Sequence, residues 1–138
     1  SLANLRRFFR RRPELTDAYL PLNERYVFFR ETDAPPTGSL GLPVTPLRSL
    51  ATDKRIFPRG ALCLVDTELP KETGPGVIER AAFRHFMLDQ DTGGAIRAPG
   101  RADIYVGVGD AAGRIAGATY AEGRLYYLFL KPDRGAGS

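Results

Sequence analysis

The chain is poor in the side chains from which metal and nucleophile centres are built. Its 138 residues include one cysteine, Cys63, one histidine, His85, one methionine and no tryptophan. A single cysteine excludes an internal disulfide and a cysteine-based zinc site. A single histidine excludes clustered imidazole ligands, so neither a metal nor any other cofactor is expected. A Ser-His-Asp triad has no supporting motif such as G-x-S-x-G. Cys63 lies in the apolar run 61–65 and reads as a small buried hydrophobe. No apolar run approaches the length that spans a bilayer. No signal-peptide pattern opens the chain, and Ser1 stands where a Met would. The sequence therefore reads as a piece of a longer chain.

What remains is enough for one domain with a real core: 43% of residues are hydrophobic. The net charge is +4, and Arg6, Arg7, Arg10, Arg11 and Arg12 supply much of the excess. Such a run suits polyanionic surroundings or a solvated helix face. No base-reading module accompanies it, so nucleic acid is not expected as a partner.

Leu2, Leu5, Phe8 and Phe9 recur at helical spacing and predict a helix over 2–12, ended by Pro13. A second short helix is expected over 14–20. From Tyr26 the pattern becomes strand-like. Residues 32–47 are rich in Pro and Gly and read as a long connection. Strands are expected at 26–29, 48–52, 61–66, 83–90, 103–106 and 124–130, with 67–79 as a polar loop. Asp110 suits the cap of a short helix over 111–117. The run 125–130 is apolar on both faces, as in a closed or doubly covered sheet. Residues 133–138 read as a tail. About six short strands with one small helix predict a compact, mainly β barrel.

The densest chemistry lies at Asp89-Gln90-Asp91-Thr92-Gly93-Gly94-Ala95-Ile96, followed by Arg101-Ala102-Asp103-Ile104-Tyr105. Regular alternation would put Asp89 and Asp91 on one face of a strand and Gln90 on the other. Carboxylates at strand ends beside a glycine turn suit acid/base work, and equally an ordinary polar turn. The opening of this stretch is similar to a calcium loop, but the third ligand and the terminal Glu are missing. Residues 107–113 are similar to a dinucleotide loop, with spacing one residue too long and an acid where phosphate would dock.

Several segments occur in one order: Tyr26-Val27-Phe28-Phe29-Arg30-Glu31, Gly38-Ser39-Leu40-Gly41-Leu42-Pro43-Val44-Thr45-Pro46, Arg48-Ser49-Leu50-Ala51-Thr52-Asp53 and Pro58-Arg59-Gly60. Gln90–Ile96, Arg101–Tyr105, Gly107–Gly113 and Gly123–Tyr126 follow. Over about residues 25–132 this order resembles the C-terminal three-aspartate (3D) domain of the membrane-bound lytic murein transglycosylase A family. The resemblance implies a six-stranded double-psi β-barrel over 25–132. It also implies that 1–24 is the end of an inserted or upstream domain.

The signature aspartates of that family fall on Asp53, Asp91 and Asp103, and its catalytic acid on Asp103. The implied reaction cleaves the β-1,4 bond between N-acetylmuramic acid and N-acetylglucosamine in peptidoglycan and closes a 1,6-anhydro ring. One aspartate acts first as acid, then as base. Asp91 is the second candidate catalytic residue, expected beside Asp103 as a perturbing charge or as a structural acceptor of the turn. Asp53, Gln90, Thr92, Gly93, Gly94, Arg101 and Tyr105 are the candidate substrate-binding or supporting residues, while Asp89 and Asp110 read as structural. Implied partners are peptidoglycan strands and an upstream segment or companion chain that completes the enzyme. The implied location is periplasmic and outer-membrane-associated in a Gram-negative bacterium, with membrane contact only through a lipid anchor outside this chain. The alternative is a glycan-binding or protein-interaction barrel without catalysis.

Overall fold

A computed structural model describes residues 2–25, 28, 30–74 and 77–132. The chain divides into two compact units at Asp33/Ala34. In the first, α1 (Leu2–Arg11) ends on Arg10 and Arg11, whose charges favour the carbonyl end of a helix. Pro13 opens a 3-10 turn that leads into α2 (Thr16–Tyr19) and a second 3-10 turn, Leu20–Leu22. Phe9 joins these pieces, edge-on to Phe8 at 5.3 Å and to Tyr19 at 6.5 Å.

The second unit is mainly β. Its strands are β1 (Ser49–Ala51), β2 (Ala61–Gly74), β3 (Val77–Asp91), β4 (Asp103–Ile104) and β5 (Gly123–Tyr127), with α3 (Gly109–Ala118) between the last two. They form one sheet in the order β4-β1-β3-β2-β5. β1 runs parallel to β3, and every other pair is antiparallel. Among the described residues the sheet has five strands, with β4 and β5 as its edges, in place of the expected six. Of the expected strand over 26–29, Tyr26, Val27 and Phe29 lie outside the described residues, and Phe28 belongs to no strand. The expected tail, 133–138, also lies outside them.

The loop expected over 67–79 is instead the far half of a long β2–β3 hairpin, paired from Ala61↔Asp89 to Gly74↔Val77. Its polar residues misled: Glu68, Lys71 and Thr73 are exposed, while Leu69 and Pro70 between them are buried. Pro70 fits because β5 stops pairing at Thr67, so β2 has a free edge beyond it. Asp110 does not cap α3. Val108 holds the cap position, and Asp110 sits in the first turn, where its charge favours the helix N-terminus.

The core lies on one face, where Leu50, Cys63, Val65, Leu69, Phe83 and Met87 pack with Ala61, Ile104, Leu125 and Tyr127. The other face carries Leu62, Phe86, Leu88, Tyr126 and Leu128, all exposed. The run 125–130 is thus apolar on both faces, as the sequence predicts, but only one of those faces is covered among the described residues.

Candidate active site

The three signature aspartates gather where β1 and β3 end and β4 begins. Sheet register explains how. Ile104, Leu50, Asp89 and Ala61 form one cross-strand row, and Asp103, Ala51 and Asp91 form the next. Between these rows β1 advances by one residue and β3 by two, so Gln90 is the extra residue of a β-bulge. The bulge overturns the expected alternation. Asp89 belongs to the row of Leu50 and Ile104, which lines the core, and Asp91 to the next row, with Ala51 and Asp103. Gln90 is itself buried and accepts a 2.5 Å hydrogen bond from the Ser49 hydroxyl.

Asp103 and Asp91 do not touch as a carboxylate pair. β1 stands between them, which sets their Cα atoms roughly 10 Å apart at the usual strand spacing. Each has its own partner. Asp91 Oδ1 accepts the Ser39 N–H at 2.8 Å, and Arg59 Nη1 in turn donates to the Ser39 hydroxyl at 2.8 Å. Gly38 presses on the bulge: a Cβ there would lie 2.6 Å from the Gln90 carbonyl oxygen. Asp103 is held by a two-pronged fork, with Arg101 Nε donating to Oδ1 at 2.9 Å and Nη2 to Oδ2 at 3.0 Å. Arg101 Nη1 also donates to the Ala95 carbonyl at 3.2 Å, tying the fork to the glycine turn. The Asp103 carboxylate raises the pKa of Arg101 by hydrogen bonding and by charge. In that turn Ile96 N–H bonds the Gly93 carbonyl, and Ile96 is buried against Gly93. The Thr92 hydroxyl donates to the Thr52 carbonyl at 3.0 Å. Gly94 leaves open space around its Cα. Tyr105 anchors the chain after β4 by its backbone, donating to Ser49 O and accepting from Leu47 N–H.

Asp53 follows β1 and caps its own turn. Its carboxylate accepts the Arg55 N–H and both prongs of the Arg55 side chain, and its carbonyl accepts Ile56 and Phe57 N–H. The Arg55 side-chain hydrogen bond is the main reason its pKa falls from 3.8 to about 2.

Sequence reasoning missed the group beneath this loop. Asp89 is fully buried; its Oδ2 accepts the Thr52 hydroxyl at 2.6 Å and the Tyr127 hydroxyl at 2.5 Å. Its Oδ1 pairs with the Lys54 ammonium, which also donates to Thr52 Oγ1 at 3.0 Å. Burial and the bond to Asp89 push the Tyr127 hydroxyl pKa upward, so it stays a proton donor. Phe57 stacks flat on the Tyr127 ring at 4.7 Å. The Asp53 loop is thereby pinned to the core from below. Cys63 lies nearby, fully buried, and burial lifts its thiol to about 11, which fits the structural role read from the sequence.

These features define a mainly β domain in which three aspartates converge at adjoining strand ends beside a glycine turn. The 3D domain family model matches residues 48–129, and the chain belongs to that family. Among curated relatives, membrane-bound lytic murein transglycosylase A of Vibrio cholerae is 36% identical over 110 residues, covering 79% of this chain and 29% of the relative. Its counterpart in Escherichia coli K12 is 33% identical over 117 residues, covering 84% and 31%. A crystal structure of MltA from Neisseria gonorrhoeae superimposes with a TM-score of 0.77 at 32% identity, over 92% of this chain and 31% of that one. Escherichia coli MltA with bound chitohexaose gives 0.65 at 31% identity, over 78% and 32%. The chain thus spans about a third of the length of the relatives it matches.

Proposed function

We propose that this chain is the acid-bearing part of a peptidoglycan lytic transglycosylase, with Asp103 as the catalytic carboxyl. The observation that carries the reading is the position of Asp103: about half exposed, at the start of an edge strand, in one row with Asp91 and beside the Asp53 loop. Lytic transglycosylase A relatives and a neighbour with a bound chitooligosaccharide support it.

The chemistry needs one carboxyl group. Asp103, protonated from solvent, gives its proton to the oxygen that links N-acetylmuramic acid to N-acetylglucosamine, and the C1–O bond breaks. The C6 hydroxyl of the muramoyl residue then bonds to C1, and its proton passes to the Asp103 carboxylate. The proton count closes without water, and the product is a 1,6-anhydro sugar. This differs from ordinary glycosidases, which divide the work between two carboxylates. Asp91, held by Ser39, shapes the floor of the site, and Asp53, held by Arg55, shapes its wall. Gln90, Thr92, Gly93, Gly94 and Tyr105 set the backbone on which a sugar would rest.

The uncovered apolar face supports a further part of the reading. Leu62, Phe86, Leu88, Tyr126 and Leu128 would be covered by an upstream segment that completes a six-stranded double-psi barrel and one wall of a glycan groove. On this reading residues 1–24 end that upstream portion, and the enzyme works in the periplasm, held at the outer membrane by an anchor outside the chain. The same bare face favours a second reading, a barrel that binds glycan or protein without turnover. Mass spectrometry of digests of purified peptidoglycan separates them. Anhydro-muropeptides support the transglycosylase. Products heavier by one water mean a hydrolase, and no products even with the upstream segment joined mean a binding module.

A further inference from the structure

We propose that Arg101 is a binding residue for a carboxylate of the substrate, and that it releases Asp103 when it takes that carboxylate. The inference rests on the transglycosylase reading and adds a specificity element to it.

The argument starts from the fork. Arg101 occupies both oxygens of Asp103 with near-parallel N–H bonds, at 2.9 and 3.0 Å. That geometry matches an ionised carboxylate. An acid that protonates a leaving oxygen needs its own proton on an oxygen turned toward the sugar. The fork and the working acid are therefore alternative states, and Arg101 has to leave before Asp103 acts. Leaving is cheap, because the two side chains are 50% and 49% exposed, and solvent screens an ion pair at such exposure.

A released guanidinium keeps the same planar pair of donors and suits a second carboxylate equally well. Peptidoglycan offers one close to the bond being cut. N-acetylmuramic acid carries a lactyl group whose carboxylate is free on peptide-free glycan, and the stem peptide carries carboxylates where it is attached. Chitooligosaccharides carry none. The Arg101 Nη1 bond to the Ala95 carbonyl keeps the head of the side chain over the glycine turn, so exchange requires a short swing and no rebuilding of the loop.

The test compares the native protein with Arg101→Gln and Arg101→Lys, each joined to any upstream segment that turnover requires. Binding is measured by calorimetry with chitohexaose, peptide-free glycan oligomers and peptide-bearing oligomers. Arg101→Gln is expected to lose about tenfold in affinity for carboxylate-bearing glycan, the scale of one hydrogen bond to a charged group, and nothing for chitohexaose. Arg101→Lys is expected to recover part of the loss. A loss confined to peptide-free oligomers assigns the lactyl carboxylate, and one confined to peptide-bearing oligomers assigns the stem peptide. Equal losses on all three ligands, or none, overturn the proposal while the transglycosylase reading stands. Failure of the native protein to bind or cleave any glycan overturns both.

Discussion

Asp91 and Asp103 share one backbone partner: each pairs with Ala51, from opposite sides of β1. A single small residue thus separates two of the three signature carboxylates. Their partners differ, a backbone N–H for Asp91 and an arginine for Asp103, as the proposed roles of fixed support and movable acid require.

Asp103→Asn should abolish glycan cleavage in the active enzyme while leaving the fold unchanged. The amide keeps the shape of the carboxyl but can neither deliver the proton nor take it back. Because one group serves both halves of the reaction, the loss should reach or exceed the roughly 10²–10⁴-fold typical of a single acid/base group. Release of anhydro-muropeptides measures it, with circular dichroism as the check on folding. Retained turnover in a folded variant would remove Asp103 from the mechanism.

Gly38→Ala should disturb Asp91 without touching it. The new methyl group would lie 2.6 Å from the Gln90 carbonyl and 3.2 Å from Asp91 Cβ, so the loop has to move. Moving it pulls the Ser39 N–H away from Asp91. A stability loss of about 1–3 kcal/mol, the usual range for overpacking, should accompany reduced turnover. Chemical denaturation and the muropeptide assay measure the two effects. An unchanged midpoint with unchanged activity would show that the loop is free to shift.

Lys54→Met should cost more stability than Lys54→Met combined with Asp89→Leu. The single change leaves the buried Asp89 carboxyl without its cation, at a cost of about 3–5 kcal/mol. The double change removes both charges, so the remaining cost is that of the Thr52 and Tyr127 hydroxyls losing an acceptor. Thermal unfolding of the native protein, both single variants and the double variant closes the cycle. A double variant that loses the sum of the two single losses would mean the pair does not couple.

The Asp53 turn should weaken in acid. Its pKa falls from 3.8 to about 2 on folding, chiefly through the Arg55 hydrogen bond. A lowered carboxylate pKa stabilises the fold in full above the unfolded value. That contribution fades as pH falls from about 4 toward about 2. Arg55→Gln should therefore lower stability near neutral pH, with the gap to the native protein closing across that window. Denaturation midpoints taken from pH 6 down to pH 2 test it, and parallel curves would assign the acid response elsewhere.

The glycine turn, the three aspartates and the carboxylate-bearing strand ends were legible because they occupy short, ordered segments. The bulge was not. Gln90 reads as an ordinary strand residue, and only the pairing of β1 with β3 reveals that it is extra. The far half of the hairpin was hidden by its polarity, since Glu68, Lys71 and Glu72 satisfy loop statistics while only their ladder partners downstream, Ala82, Glu79 and Ile78, show them to be strand. The Asp89 network escaped for the same reason. Thr52, Lys54 and Tyr127 approach Asp89 from separate strands and loops, and nothing local to any of them signals the cluster.

Turnover should depend on a segment that covers the second face of the sheet. Leu62, Phe86, Leu88, Tyr126 and Leu128 are each between 42% and 56% exposed, and they line one face of β2, β3, β5 and the residue that follows β5. An apolar face of this kind usually meets a partner. Relatives that run about three times the length of this chain have the residues to supply one. Without it the acid stands at an open edge, and a long sugar chain is held on one side only. Orientation accounts for a large part of the rate in such sites, so a half-built groove should sacrifice most of it. The expected result is weak or no release of anhydro-muropeptides by residues 1–138 alone. Release should rise by at least about 100-fold when the upstream segment is joined in cis or added as a second chain. Charged substitutions such as Leu88→Glu and Phe86→Lys should block that rescue by disfavouring burial of the face. Equal rates with and without the segment would establish that this chain is a self-sufficient enzyme and that the bare face serves another purpose.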